Sequence, residues 1–181
     1  MLQITIPGME LWDEVNEKFV YTKAYTLNLE HSLVSLSKWE SKWCKPFLIT
    51  AKRMTTEETI DYIRCMTLTP NVPNEAYEHL TNANIDQVSA YIEAPMTATW
   101  FYEDKNGKKN RDVITAELIY YWMIALNIPF ECQKWHLNKL LTLIRVCEIK
   151  NSPRKKQSMQ EIMRRNDEIN EQRKKQYNSK G

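Results

Sequence analysis

With 181 residues, 43% of them hydrophobic, and only 3 Gly and 7 Pro, the chain can bury one globular core and is not low-complexity. Three glycines, Gly8, Gly107 and Gly181, leave no glycine-rich phosphate loop and so exclude nucleotide binding of the usual kinds. The net charge of +2 hides an asymmetry: residues 151–181 hold 9 Lys/Arg against 4 Asp/Glu, net +5, while residues 1–150 hold 16 against 19, net −3.

In chain order, Leu2, Ile4 and Ile6 alternate with Gln3 and Thr5, which predicts a half-buried strand ending at Pro7-Gly8. Tyr25, Leu27 and Leu29 repeat the pattern and are expected to pair with it, with Phe19, Val20 and Tyr21 as a third strand. Leu33, Leu36, Trp39, Glu40 and Trp43 then fall on one helical face behind Ser32, a good N-cap, and Pro46 closes the segment. Trp39 and Trp43, four apart, cover one surface; this is either core or an aromatic face for a partner.

Thr55 and Glu58 form a capping box ahead of Ile60, Ile63 and Met66. Thr69-Pro70-Asn71-Val72-Pro73 breaks that helix. Short helices follow near residues 74–80 and 85–92, the second with Ile85, Val88 and Ile92 at helical spacing and Pro95 as its stop. Residues 97–102, TATWFY, favour a strand; with the Asn106-Gly107 turn and Val113-Ile114 they predict a β-hairpin near 97–114. Its tip carries Lys105, Lys108, Lys109 and Arg111, for which a solvated loop is favoured over a phosphate contact.

The stretch from Ile114 to Lys150 reads as two amphipathic helices meeting at Pro129, a helical hairpin around which the rest is expected to pack. Thr115 is its N-cap. After Asn151-Ser152-Pro153, a capping box at Ser158 and Glu161 opens a last helix. Its thin apolar stripe of Met159, Ile162, Met163 and Ile169 needs something to dock against. The predicted class is α+β: a mostly helical single domain over 1–150 with a small N-terminal antiparallel sheet and a β-hairpin near 97–114, then a basic helical C-terminal extension over 151–181.

No constellation for bond chemistry emerges, so no enzymatic activity, cofactor or metal is expected. Cys44, Cys65, Cys132 and Cys147 form no CxxC pair. On one helix Cys132 and Cys147 would lie about 22 Å apart at ~1.5 Å per residue, too far to bridge, and reduced thiols in a cytoplasmic protein are expected. Cys132 and His136 have metal-ligand spacing but lack companions, and they lack a third group to act as nucleophile and base. Glu57, Glu58 and Asp61 are explained by the helix N-terminus they occupy. The opening MLQITIPGMELWDE has no basic segment followed by an apolar run, so a secretion signal is not expected, and the apolar run Leu118–Leu126 is far short of the ~20 residues a membrane span needs. Acidic residues interleave the basic tail, which argues against nucleic acid as a partner.

At LEHSLVSLSKWESKWCKPFL (residues 29–48), TATWF (97–101), ELIYYWMIALNIPFECQKWHLNKLLTLIRVC (117–147) and the basic end, the chain resembles the tail assembly chaperones of tailed bacteriophages. The resemblance implies a non-enzymatic helper in the host cytoplasm, absent from the mature virion. It would bind the tape measure protein, and the major tail protein as a second candidate, while the tail tube polymerises. It also implies a longer, frameshifted form. A homo-oligomer is a further expectation. An aromatic groove for the partner would use Trp39, Trp43, Trp122 and Trp135, with Ile162, Arg164, Arg165 and Ile169 of the last helix adding partner contacts. The alternatives are a virion structural protein of the neck or tail, of the head–tail connector type, and a nucleic-acid-binding accessory protein used in packaging.

Overall fold

The computed structural model describes residues 1–13, 17–99, 101, 113–152, 163, 166, 167 and 170. The chain divides into two compact units, Met1–Glu148 and Ile149–Gly181. In the second, Met163, Asn166, Asp167 and Asn170 are helical, whereas Ile162, Arg164, Arg165 and Ile169, expected to meet a partner, lie outside the described residues.

The first unit is α+β and mostly helical. Strand β1 (Leu2–Ile6) pairs antiparallel with β4 (Tyr25–Leu29), in the register Leu2↔Leu29 to Ile6↔Tyr25. Period-two alternation puts Ile4, Ile6, Leu27 and Leu29 in the core. The third strand does not join them: β3 (Lys18–Tyr21) pairs with β2 (Glu10–Asp13) as a separate two-stranded ribbon. The chain leaves β1 at Pro7-Gly8, and Thr22 closes the ribbon's base. Its N–H donates to the Met9 carbonyl at 2.8 Å, and Met9 N–H donates to Thr22 Oγ1 at 2.8 Å.

Gly8 permits this crossing, because a Cβ there would sit 2.6 Å from the Thr22 carbonyl oxygen. That neighbour is backbone and cannot swing away. Gly8→Ala is therefore expected to cost about 1–3 kcal/mol, seen as a lower urea midpoint with unchanged slope. A midpoint equal to wild type would remove the steric account.

Helix α1 (Leu33–Trp43) is the element on which the unit is built. The Ser32 side chain accepts from Ser35 N–H, Ser35 answers the Ser32 N–H, and Cys44 ends the helix in the left-handed region at φ 52°. Its face of Leu33, Leu36, Trp39 and Glu40 is buried. Packed on it are helix α2 (Phe47–Thr50), which runs into a 3-10 turn at Ala51–Arg53, and helix α3 (Thr56–Met66) with the expected Thr55/Glu58 box. A 3-10 turn at Asn74–His79 leads to α4 (Asn82–Glu93), which lies on β1.

Helix α4 starts earlier than its apolar spacing suggests, because Thr81 and Asn84 form a capping box. It buries Asn84, Val88 and Tyr91 in place of Ile85 and Ile92. Asn84 Nδ2 donates to the Thr5 carbonyl of β1 at 3.2 Å, and that contact turns the two isoleucines to a half-buried position.

The segment 114–150 is not a helical hairpin and is not the centre of the fold. Helix α5 (Ala116–Ala125) packs on α1 and is followed by a turn at residues 126–127, where Asn127 has φ 52°. After Pro129 come a 3-10 turn (Phe130–Lys134) and an extended Trp135; α6 (Leu137–Asn151) starts only there. Leu137 N–H donates to the His31 carbonyl at 2.7 Å, tying α6 to the start of α1. Cys132 and Cys147 thus sit on different elements, and all four thiols are free. The expected hairpin near 97–114, with its basic tip, falls mostly outside the described residues; at its described ends, 97–99 and 113–115, the backbone is not strand.

Candidate functional site

The four tryptophans proposed for a partner groove are not equivalent. Trp39 has no exposed surface. Its Nε1 donates to the Glu58 carbonyl at 3.0 Å, and its ring stacks on Trp43 and meets Phe47 and Tyr62 edge-on. No partner reaches it, so its place in such a groove is withdrawn: helical spacing identified the face, and α2 and α3 cover it.

Trp43 is half-buried, with Nε1 donating to Asp61 Oδ2 at 2.9 Å and Lys45 Nζ 5.5 Å from its ring centroid. Lys45 also pairs with Glu58, and this ammonium holds the Glu58 carboxyl below the usual range. Trp122 is half-buried against the core, and Trp135 is 38% exposed with Lys139 Nζ 4.5 Å over its ring. Among the described residues no ring contact joins Trp122 or Trp135 to the Trp39–Trp43 pair.

The polar centre of the unit is closed. His31 and His136 are buried with rings 5.1 Å apart. A 2.6 Å hydrogen bond joins His31 Nδ1 to the Tyr62 hydroxyl. His136 Nε2 faces the Tyr91 carbonyl at 3.0 Å, an acceptor only, so that nitrogen carries the proton; Nδ1 accepts from Asn138 N–H at 3.3 Å. Tyr91 in turn donates its hydroxyl proton to Glu30, which pairs with the N-terminal ammonium. Burial, reinforced by His136, pushes His31 down to about 3, and burial also lowers His136.

With both ring nitrogens engaged, His136 cannot activate Cys132, whose thiol burial pushes up. Among the described residues no three His, Cys, Asp or Glu side chains are grouped to hold a metal, and no helix is long and apolar enough to cross a membrane.

Two elements of the unit present large apolar side chains outward. Helix α5, AELIYYWMIA, has one charged residue, Glu117, yet only Ala116, Ile119 and Met123 are buried. Tyr121 is 63% and Ile124 61% exposed, and Phe130, in the turn beyond, is 53% exposed. A helix apolar on all sides is normally covered on all sides. The ribbon β2–β3 adds Trp12 and Phe19, an exposed cross-strand pair in edge-to-face contact at 4.9 Å. Tyr121, Ile124 and Phe130 were not singled out by the helical spacing of the 114–150 segment. The signal for their exposure was the shortage of polar positions on α5, which leaves no solvated face for either side.

Fold and surface together define a mostly helical α+β domain with a sealed polar centre and an uncovered apolar helix. No protein-family model matches the chain, and no curated protein or solved structure is similar to it.

Proposed function

We propose that this chain is a non-enzymatic tail assembly chaperone of a tailed bacteriophage. It holds the tape measure protein, with the major tail protein as a second partner, through protein–protein contacts in the host cytoplasm and does not stay in the virion. The observation that carries the reading is the outer face of α5, where Tyr121 and Ile124 stand in water on a helix with a single charge. Aromatic and aliphatic residues so placed are what a helper needs to shield the apolar stripe of a long helical client until the tube encloses it. The resemblance at residues 29–48, 97–101 and 117–147 supplies the identity of that client.

The test is co-expression with the tape measure protein and affinity capture. Tyr121→Asp with Ile124→Asp is expected to reduce capture by about tenfold or more, since central apolar anchors dominate such interfaces. Both side chains are exposed, so the melting temperature should stay near wild type. Undiminished capture would defeat this assignment of the surface. Stoichiometric amounts of the chain in purified virions would favour a structural protein of the neck or tail.

A further inference from the structure

A groove of about 310 Å³ opens between α2 with its 3-10 continuation on one side and α4 on the other, with α3 beneath. Its floor is core: Phe47, Tyr62, Ile63 and Val88 are at most 3% exposed. The half-buried Ile85 and Ile92, turned this way by the Asn84 contact to β1, and the exposed Leu48 complete an apolar trough. A charge stands on each wall, Lys52 in the 3-10 turn and Glu93 at the end of α4. Neither is in an ion pair with another described residue.

We propose that this groove is a docking site for an amphipathic helix from another protein, with a stripe of large aliphatic side chains, a carboxylate on the flank facing Lys52 and a basic residue on the flank facing Glu93. The lining comes from helices, the 3-10 turn and the residue beyond it and includes no strand edge, so an extended peptide would find no ladder to join. A helix brings its own backbone bonds and needs only apolar depth and flanking charge, and the trough supplies both. A volume of about 310 Å³ takes two or three leucine-sized side chains, the number one helical face presents over two turns. The site shares no residue with α5 and does not depend on the chaperone reading; failure here leaves the α5 surface untouched, and the reverse also holds.

The probe is a stapled, fluorescein-labelled helix with leucines at i, i+4 and i+7, glutamates along one flank and lysines along the other, titrated against the full chain by anisotropy. Saturable micromolar binding is expected. Leu48→Glu puts a charge on the rim at a position already exposed, so the fold is retained, and it should weaken binding about tenfold or more. Lys52→Glu makes both walls acidic. This variant should bind the mixed-flank helix about three- to fivefold more weakly than wild type and should instead prefer a helix with lysines on both flanks. Absence of binding, equal binding by Leu48→Glu, or no change of preference in Lys52→Glu would each overturn the proposal. Self-association that Leu48→Glu abolishes would overturn it in favour of a second copy.

Discussion

Glu40→Ala is expected to lower the stability of the first unit by about 3–5 kcal/mol, more than any surface substitution. Glu40 lies on the buried face of α1 and is 8% exposed. Its Oε1 accepts from Phe47 N–H at 2.8 Å and its Oε2 from Ala116 N–H at 2.7 Å. Phe47 and Ala116 are the first residues of α2 and α5, whose opening N–H groups have no partner within their own helices. One carboxylate thus satisfies two helix N-termini, one of them 76 positions along the chain from Glu40, and its charge favours the positive end of each. Alanine leaves both donors buried and unpaired and a space where the carboxylate was.

Glu40→Gln separates charge and acceptor count from size. The amide keeps one acceptor but turns an NH2 toward the other donor, so glutamine should recover little of the loss. Urea unfolding of both variants is the measurement. A change below about 1 kcal/mol in Glu40→Ala would show that the two helix starts find other partners.

Acid should unfold the protein through the histidine pair. In the unfolded chain histidine titrates near 6.5, whereas His31 in the fold is held down to about 3 and His136 is also lowered. Below about pH 6.5 the unfolded state therefore binds protons that the folded state refuses, and stability falls as pH falls toward 3. For His31 the loss approaches about 1.4 kcal/mol per pH unit within that window, His136 adds to it in the same direction, and above the window it vanishes. A second contribution in the same direction appears lower, where protonation of Glu58 releases Lys45.

The groups facing the pair are Tyr62 on α3, Tyr91 on α4 and Glu30 at the end of β4. Of these, the Glu30 carboxylate favours the charged form of His136 and partly offsets burial, while the N-terminal ammonium opposes it. His31→Asn should be less stable at neutral pH, because the Tyr62 hydroxyl loses its partner, yet its stability should depend less steeply on pH below about 6.5. A slope equal to wild type would mean that His31 is not the group responsible.

Much of the secondary structure was legible because it is set by neighbours in sequence. Ser32 and Thr55 cap α1 and α3 as their side-chain chemistry requires, Pro129 prevents α5 from continuing, and the alternation in Leu2–Ile6 and Tyr25–Leu29 fixes which face of each strand is covered. The partners of those elements were less legible. Phe19 and Tyr21 carry a strand pattern, but the choice between joining β1–β4 and folding back on residues 10–13 was made by the close passage at Gly8 and the Thr22–Met9 bonds.

The candidate surface shows the same division. Trp39, Trp43, Trp122 and Trp135 stood out by residue type, yet Trp39 serves the core, while Tyr121 and Ile124, which no motif marked, face solvent. An apolar side chain looks alike in sequence whether its neighbour is α3 or water, since burial depends on what a distant segment brings to it. The sequence by itself determined the capped helices and the two paired strands. Only the tertiary structure decided that α1 is the hub, that Glu40 joins two helix starts, that two histidines are sealed away from protons and that one face of α5 is left uncovered. Each of these is a contact between residues far apart in the chain, where no local periodicity carries the information.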